Sequence, residues 1–227
     1  MIVTEESLFP NTFGMELIYS FIIIFCSLLI YASTKKMYNI SKYPGIKYFR
    51  ESFLFFAIAY FFKSFLSFLL FIFDFHEVIE FSNVFLGVIT IFFFMYASTM
   101  AIFYLVYSVA WKNFRESRYT VPLIHVFALV ISAVSIMIRE AGILILLQVL
   151  LFLFVAGRNF SSYRKLGKNK RAGSIYIIYL FLFIFWMLNL ADSLVSGFGA
   201  IFELVVSMVS IGLFLLILYK VTRIVGT

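Results

Sequence analysis

Residues 50–74 read RESFLFFAIAYFFKSFLSFLLFIFD, an apolar run with a basic start, an acidic end and one lysine, Lys63, in the middle. A membrane-spanning helix needs about 20 apolar residues, and this run has that length. Working outward, six similar runs appear, so the predicted spans are 15–33, 52–73, 82–108, 121–138, 141–157, 174–194 and 199–219. A chain in lipid must satisfy its backbone internally, and these runs are too long and too uniformly apolar for barrel strands. The sequence therefore predicts an all-α polytopic integral membrane protein: seven transmembrane helices forming one domain over residues 1–227.

Composition agrees. The chain is 64% hydrophobic and 21% aromatic, with 13% charged residues, and its mean hydropathy is +1.07. Soluble domains carry about a quarter charged residues. No room is left for a soluble kinase or cyclase domain, and no glycine-rich phosphate loop is present. Cys26 is the single cysteine, so neither a disulfide frame nor metal-ligand spacing exists. His76 and His125 share no helix face, which argues against a catalytic zinc. No nucleophile–base pair stands out, so an enzyme is disfavoured and no cofactor is expected. Met1–Phe13 has Glu5 and Glu6 but no basic residue, unlike a signal peptide, so the first span reads as a retained helix.

Charge sets the orientation. The first connection holds Lys35, Lys36, Lys42, Lys47 and Arg50, and the third holds Lys112, Arg115 and Arg118. The fifth holds Arg158, Arg164, Lys165, Lys168, Lys170 and Arg171, and the tail holds Lys220 and Arg223. Sixteen of the 18 basic residues thus share one side, leaving Lys63 and Arg139. The positive-inside rule puts that side in the cytoplasm and the N-terminus outside. The net charge of +7 follows from these loops and implies no nucleic acid. The two longest connections, 34–51 and 158–173, are both basic and cytoplasmic. Between spans four and five only Arg139 to Gly142 mark a turn. A single helix through that point would run about 37 residues, or roughly 55 Å, too long for one crossing.

The spans also hint at a repeat. Spans one to three and five to seven share a layout of helix, long basic loop, helix, short acidic turn, helix. A shift of 124 residues places Ala32 on Ala156, Lys47 on Arg171 and Lys63 on Met187. That layout is compatible with a three-plus-one-plus-three parallel repeat, whose site would lie between the halves.

Polar groups inside the spans mark the candidate site. Lys63 lies roughly 20 Å from one end of its span and 16 Å from the other, near mid-bilayer. A central lysine costs about 2.5–3.5 kcal/mol and usually faces a cavity or a partner. Tyr60 and Ser67 share its face. On the sixth span Tyr179, Trp186, Asn189 and Asp192 fall within an arc of roughly 140°. The seventh span carries Glu203, Ser207 and Ser210 at i, i+4 and i+7. Asp192 and Glu203 are the expected counter-charges of Lys63. Together these groups would line a polar cavity in the outer half, with Tyr179 and Trp186 on its wall. Their alternative reading is static: a salt bridge, or hydroxyl and amide groups that fasten helices together.

Residues 34–64, TKKMYNISKYPGIKYFRESFLFFAIAYFFKS, form a basic loop leading into an aromatic-rich second helix. This stretch, with the seven-span layout, resembles the seven-helix sensor modules at the N-terminus of prokaryotic, especially archaeal, histidine kinases and their stand-alone relatives. The abundance of Phe, Ile and Lys fits a prokaryotic source. A rhodopsin-type assignment fails, because the seventh span has Glu203 in place of a mid-span lysine. The resemblance implies a multi-pass cell-membrane receptor that signals to a separate cytoplasmic partner.

Three functions stay open. The leading one is a sensor binding a small or lipophilic signal through Lys63, Tyr60, Tyr179, Trp186, Asn189, Asp192, Glu203 and Ser207. The basic residues Lys35, Lys36, Lys47, Arg50, Arg164, Lys165, Lys168, Lys170 and Arg171 would then meet a cytoplasmic protein or anionic lipid. The second is a small ion channel or secondary transporter using the same charged cluster. The third is a membrane assembly subunit, and self-association into a homo-oligomer suits any of them.

Overall fold

The computed structural model describes residues 11–76, 81–111, 119–138, 141–165, 170–194 and 200–226, with backbone alone near several helix ends. All described elements are helical: α1 (Asn11–Ser41), α2 (Pro44–His76), α3 (Phe81–Ala110), α4 (Thr120–Ile138), α5 (Ala141–Lys165), α6 (Lys170–Leu194) and α7 (Ala200–Gly226). Five carry stretches long and apolar enough to cross a membrane: Phe13–Ser41, Pro44–Ile72, Phe85–Ala110, Thr120–Ile138 and Leu204–Ile224. The described apolar stretches of α5 and α6 are shorter, Leu146–Arg158 and Tyr176–Asn189. The chain is a multi-pass membrane protein whose apolar outer surface meets lipid.

The first basic connection is not the long loop expected. α1 continues to Ser41 and α2 starts at Pro44, so Lys35 and Lys36 are helical and the turn is only Lys42 and Tyr43. Lysine and methionine are good helix formers, so nothing stops α1 at the membrane edge. The stop comes where Tyr43, preceding Pro44, is disfavoured in the α region. Lys42 takes a positive φ of 52°, and its N–H donates to the Tyr38 carbonyl at 2.8 Å, closing the helix as glycine usually does. Pro44 then begins α2, where its missing N–H costs no hydrogen bond. Gly45 is required by contact: a Cβ there would lie 2.7 Å from the Tyr43 ring and 2.9 Å from the Ser108 carbonyl oxygen. The Tyr43 ring meets Trp111 edge-on at 5.0 Å, so the turn is seated on the end of α3. The fifth connection shortens likewise, with α5 reaching Lys165 and α6 starting at Lys170.

α1 packs on α2 and α7, α3 on α2 and α5, and α6 on α5 and α7. Six helices thereby close a ring in the order α1–α2–α3–α5–α6–α7, and α4 leans on α3 and α5 from outside. The ring is filled by Ile23 and Ile30 of α1, Phe53 and Phe56 of α2, Leu105 of α3, Phe152 of α5, Leu182 and Phe185 of α6, and Phe214 and Ile217 of α7. None of these is in that core by hydrophobic expulsion alone, since lipid is equally apolar; close van der Waals packing and hydrogen bonds hold such helices. α4 buries only small residues along one stripe, Ala128, Ser132 and Ser135, which lets its backbone approach closely. Its remaining faces carry outward Val126, Phe127, Val130 and Val134.

Candidate functional site

The side of the bundle that bears the start of α1 is taken here as upper, and the side bearing the α1–α2 turn as lower. In the upper half α1, α2 and α6 bring three polar side chains together. The Tyr19 and Tyr60 hydroxyls donate to Asn189 Oδ1 at 2.9 Å and 2.8 Å, and lie 3.1 Å from each other. Asn189 Nδ2 donates to the Phe185 carbonyl at 2.8 Å, which fixes the amide's orientation. Burial in an apolar ring leaves these groups few alternatives to one another.

One turn higher is a charged pair. Lys63 Nζ sits 3.7 Å from Glu16 Oε1, and the Ser67 hydroxyl donates to Glu16 Oε2 at 2.8 Å. The ammonium also lies over the Tyr19 ring, 5.7 Å from its centroid, so the charged pair and the tyrosine–amide cluster form one continuous site. At 3.7 Å the pair is an open ion pair rather than a tight hydrogen bond.

One turn lower the site has an aromatic floor. Phe185 and Phe214 meet edge-on at 4.8 Å, and Phe56 reaches Phe214 at 6.3 Å. Phe53 lies 6.1 Å from Phe214. Trp186 extends the floor sideways, against Phe56 at 6.2 Å and Phe152 at 5.6 Å. Ser210 stands one turn above Phe214 on the core face of α7. It is fully buried, and its hydroxyl has no hydrogen-bond partner among the described residues.

The outcome for the expected residues is mixed. Lys63, Tyr60 and Asn189 come together, and Trp186 borders them. Tyr179 does not join them. It lies ten residues before Asn189, about 15 Å down the helix, where it exchanges a 2.8 Å hydrogen bond with Ser108 and its ring meets Phe49. Sharing a helix face is not sharing a depth. Ser207 is half-buried on α7. The side chains of Asp192 and Glu203 lie outside the described residues. Lys63 meets Glu16, which sequence reasoning missed because Glu16 sits at the start of an apolar run and reads as an outer-edge residue. Tyr19 was missed because one tyrosine among many aromatics gives no signal until its hydroxyl has a partner.

At the lower end Lys35, Lys36 and Lys47 are exposed, as a surface contact requires. Arg50 is not: it donates to Glu51 at 2.7 Å and lies over the Tyr31 and Tyr38 rings at 4.8 and 5.7 Å. It braces α2 against α1. The side chains of Arg164, Lys165, Lys168, Lys170 and Arg171 lie outside those described. Among the described residues no three His, Cys, Asp or Glu side chains gather as a metal site would require.

No family model matches the chain, and no solved structure matches it. A protein of Archaeoglobus fulgidus, described as uncharacterized, is 32% identical over 221 aligned residues, covering 92% of this chain and 91% of that protein. Two chains alike at that level over nearly their whole lengths share one ancestry, and the chain belongs to the same family as this archaeal protein.

Proposed function

We propose that the protein is a seven-span cell-membrane sensor, N-terminus outside and C-terminus in the cytoplasm. It takes a small polar signal molecule at the Glu16–Lys63–Tyr19–Tyr60–Asn189 site and passes a helix shift to its basic cytoplasmic end. The observation that carries this reading is the asymmetry of the bundle. The charged and amide groups gather above Phe53, Phe56, Phe185 and Phe214, and below that floor the ring is filled by Leu182, Ile217 and Val221 around one neutral hydrogen bond, Tyr179 to Ser108. An ion path needs polar lining in both halves. A receptor needs a site open on one side and closed on the other. α1 and α2 supply both the upper charged pair and the lower Tyr31–Tyr38–Arg50 brace, so two rigid helices link a ligand event to the exposed lysines.

One observation favours the transport reading. Exchanging α1, α2, α3 for α5, α6, α7 maps every contact of the ring onto another, α1–α7 onto α5–α3 included. Buried Tyr19, Ile23 and Cys26 fall on Gln148, Phe152 and Val155, and Phe53 and Phe56 on Leu182 and Phe185. Each of these pairs is 129 residues apart (19 to 148, 53 to 182) rather than the 124 read from loop spacing, and Tyr60 then falls on Asn189. This supports a parallel repeat with the site on its axis.

Liposome flux separates the two. The expected result is no proton or monovalent-cation flux above that of empty liposomes, for wild type and for Lys63→Met alike. Flux that disappears in Lys63→Met would overturn the sensor reading in favour of a channel or carrier.

A further inference from the structure

A second polar cluster lies outside the ring, between α3 and α4. His125 of α4 is held by two tyrosines of α3, with Tyr96 Oη 2.6 Å from Nδ1 and Tyr104 Oη 3.1 Å from Nε2. The Phe55 ring closes the inner side, 6.0 Å from the imidazole. A neutral imidazole has one N–H and one bare nitrogen. One tyrosine therefore donates to the bare nitrogen, and the other accepts from the N–H. The accepting tyrosine keeps its own O–H, for which no hydrogen-bond acceptor is found among the described residues. The Nδ1–H tautomer leaves that hydrogen on Tyr96, whereas the Nε2–H tautomer spends the Tyr96 hydrogen on Nδ1 and leaves the spare one on Tyr104, two turns lower.

An apolar groove of about 480 Å³ opens one turn above, lined by Val88, Ile89, Phe92 and Phe93 of α3 and by Ala133 and Ile136 of α4. Small-molecule sites span about 300–1,000 Å³. Tyr96 follows Phe92 by four residues and Phe93 by three, so it stands at the groove's lower end on the same helix face. The Phe93 ring is backed by a stacked Phe62 at 5.1 Å.

Depth selects the occupant. Tyr96 is midway along the 30-residue α3, and the groove lies on the upper side of it. A phospholipid keeps its charged head at the interface, and a charge at the bilayer centre costs at least about 2.5–3.5 kcal/mol. A molecule whose apolar part fills this groove while its polar end reaches Tyr96 must carry a weakly polar, uncharged head. With His125 in the Nδ1–H tautomer the spare Tyr96 hydrogen asks for an acceptor, and Phe92 and Phe93 offer ring faces. We infer that the α3–α4 groove binds an uncharged, lipid-soluble carbonyl compound of quinone type, its ring and tail against Phe92, Phe93 and Ala133, and its carbonyl accepting a hydrogen bond from the Tyr96–His125–Tyr104 cluster. This site is separate from the one in the ring and does not depend on the sensor reading.

The test uses the full chain in phospholipid nanodiscs and 2-decyl-1,4-benzoquinone as probe. Saturable retention is measured above the partitioning into empty nanodiscs, together with the infrared carbonyl band. Expected are one molecule bound per chain and a carbonyl band lowered by hydrogen bonding. Tyr96→Phe keeps the ring and should remove the band shift and weaken binding about tenfold, the worth of one buried hydrogen bond. Ala133→Leu should abolish retention by filling the groove, and Lys63→Met should leave it unchanged. Thermal unfolding of each variant checks that the fold is kept. No saturable retention by wild type, or retention that Tyr96→Phe or Ala133→Leu leaves as it was, overturns the inference.

Discussion

Asn189 is the residue on which the upper site turns, because its single amide oxygen accepts from two helices at once. Asn189→Leu keeps the volume and deletes these bonds. Interhelical hydrogen bonds in lipid contribute about 0.6 kcal/mol each and at most about 1.7. The variant should therefore unfold about 1–2 kcal/mol more easily, measured by denaturation in mixed micelles. Gly45 obeys a different physics. Adding one methyl group drives a Cβ to 2.9 Å from the Ser108 carbonyl, whose oxygen belongs to a helix and cannot yield. Gly45→Ala should cost about 1–3 kcal/mol by overpacking. Lys42→Gly should do the reverse, stabilising by about 1 kcal/mol, because an L-residue at positive φ is strained and glycine is not. Lys63 was legible in the sequence because a charge inside an apolar run cannot hide. Glu16, Tyr19 and the His125 cluster were not, since their meaning lies in partners more than 20 residues away along the chain.

At the scale of elements, apolar length located the seven helices but not their ends. Hydropathy registers where lipid stops, whereas a helix stops where its backbone is interrupted. α1 runs on to Ser41 for that reason, and the basic connection becomes a two-residue turn. The same limit explains Tyr179. Angular periodicity placed it correctly on the face of α6 shared by Asn189, but periodicity has no coordinate along the helix axis. α4 is the element with the least to lose, since it buries only Ala128, Ser132 and Ser135. Ser132→Leu should push α4 from α3 and α5 while the ring stays closed. Hydrogen exchange should rise in α4 and stay unchanged in α2 and α6; a rise throughout would mean that α4 is integral to the core.

For the whole molecule, orientation is open to a direct check. Cys26 is buried and should not react with a membrane-impermeant maleimide, so the chain offers a silent background. Lys42→Cys and Tyr119→Cys lie at the lower end and should label only from the cytoplasmic side. Ile138→Cys, at the other end of α4, should label only from outside. Labelling of all three from one side would refute the seven-span orientation. The closed ring has one more implication, and it concerns time. α1, α2 and α3 pack on one another as soon as they are made, and α5, α6 and α7 can do the same. The seam between α1 and α7, by contrast, joins the earliest of these seven helices to the latest. Until α7 enters the membrane, the flank of α1 that it will cover stands open to lipid or to chaperones. Closure of the ring is therefore a late zippering step, and a premature stop between α6 and α7 would leave a half-moon of six helices with no way to shut.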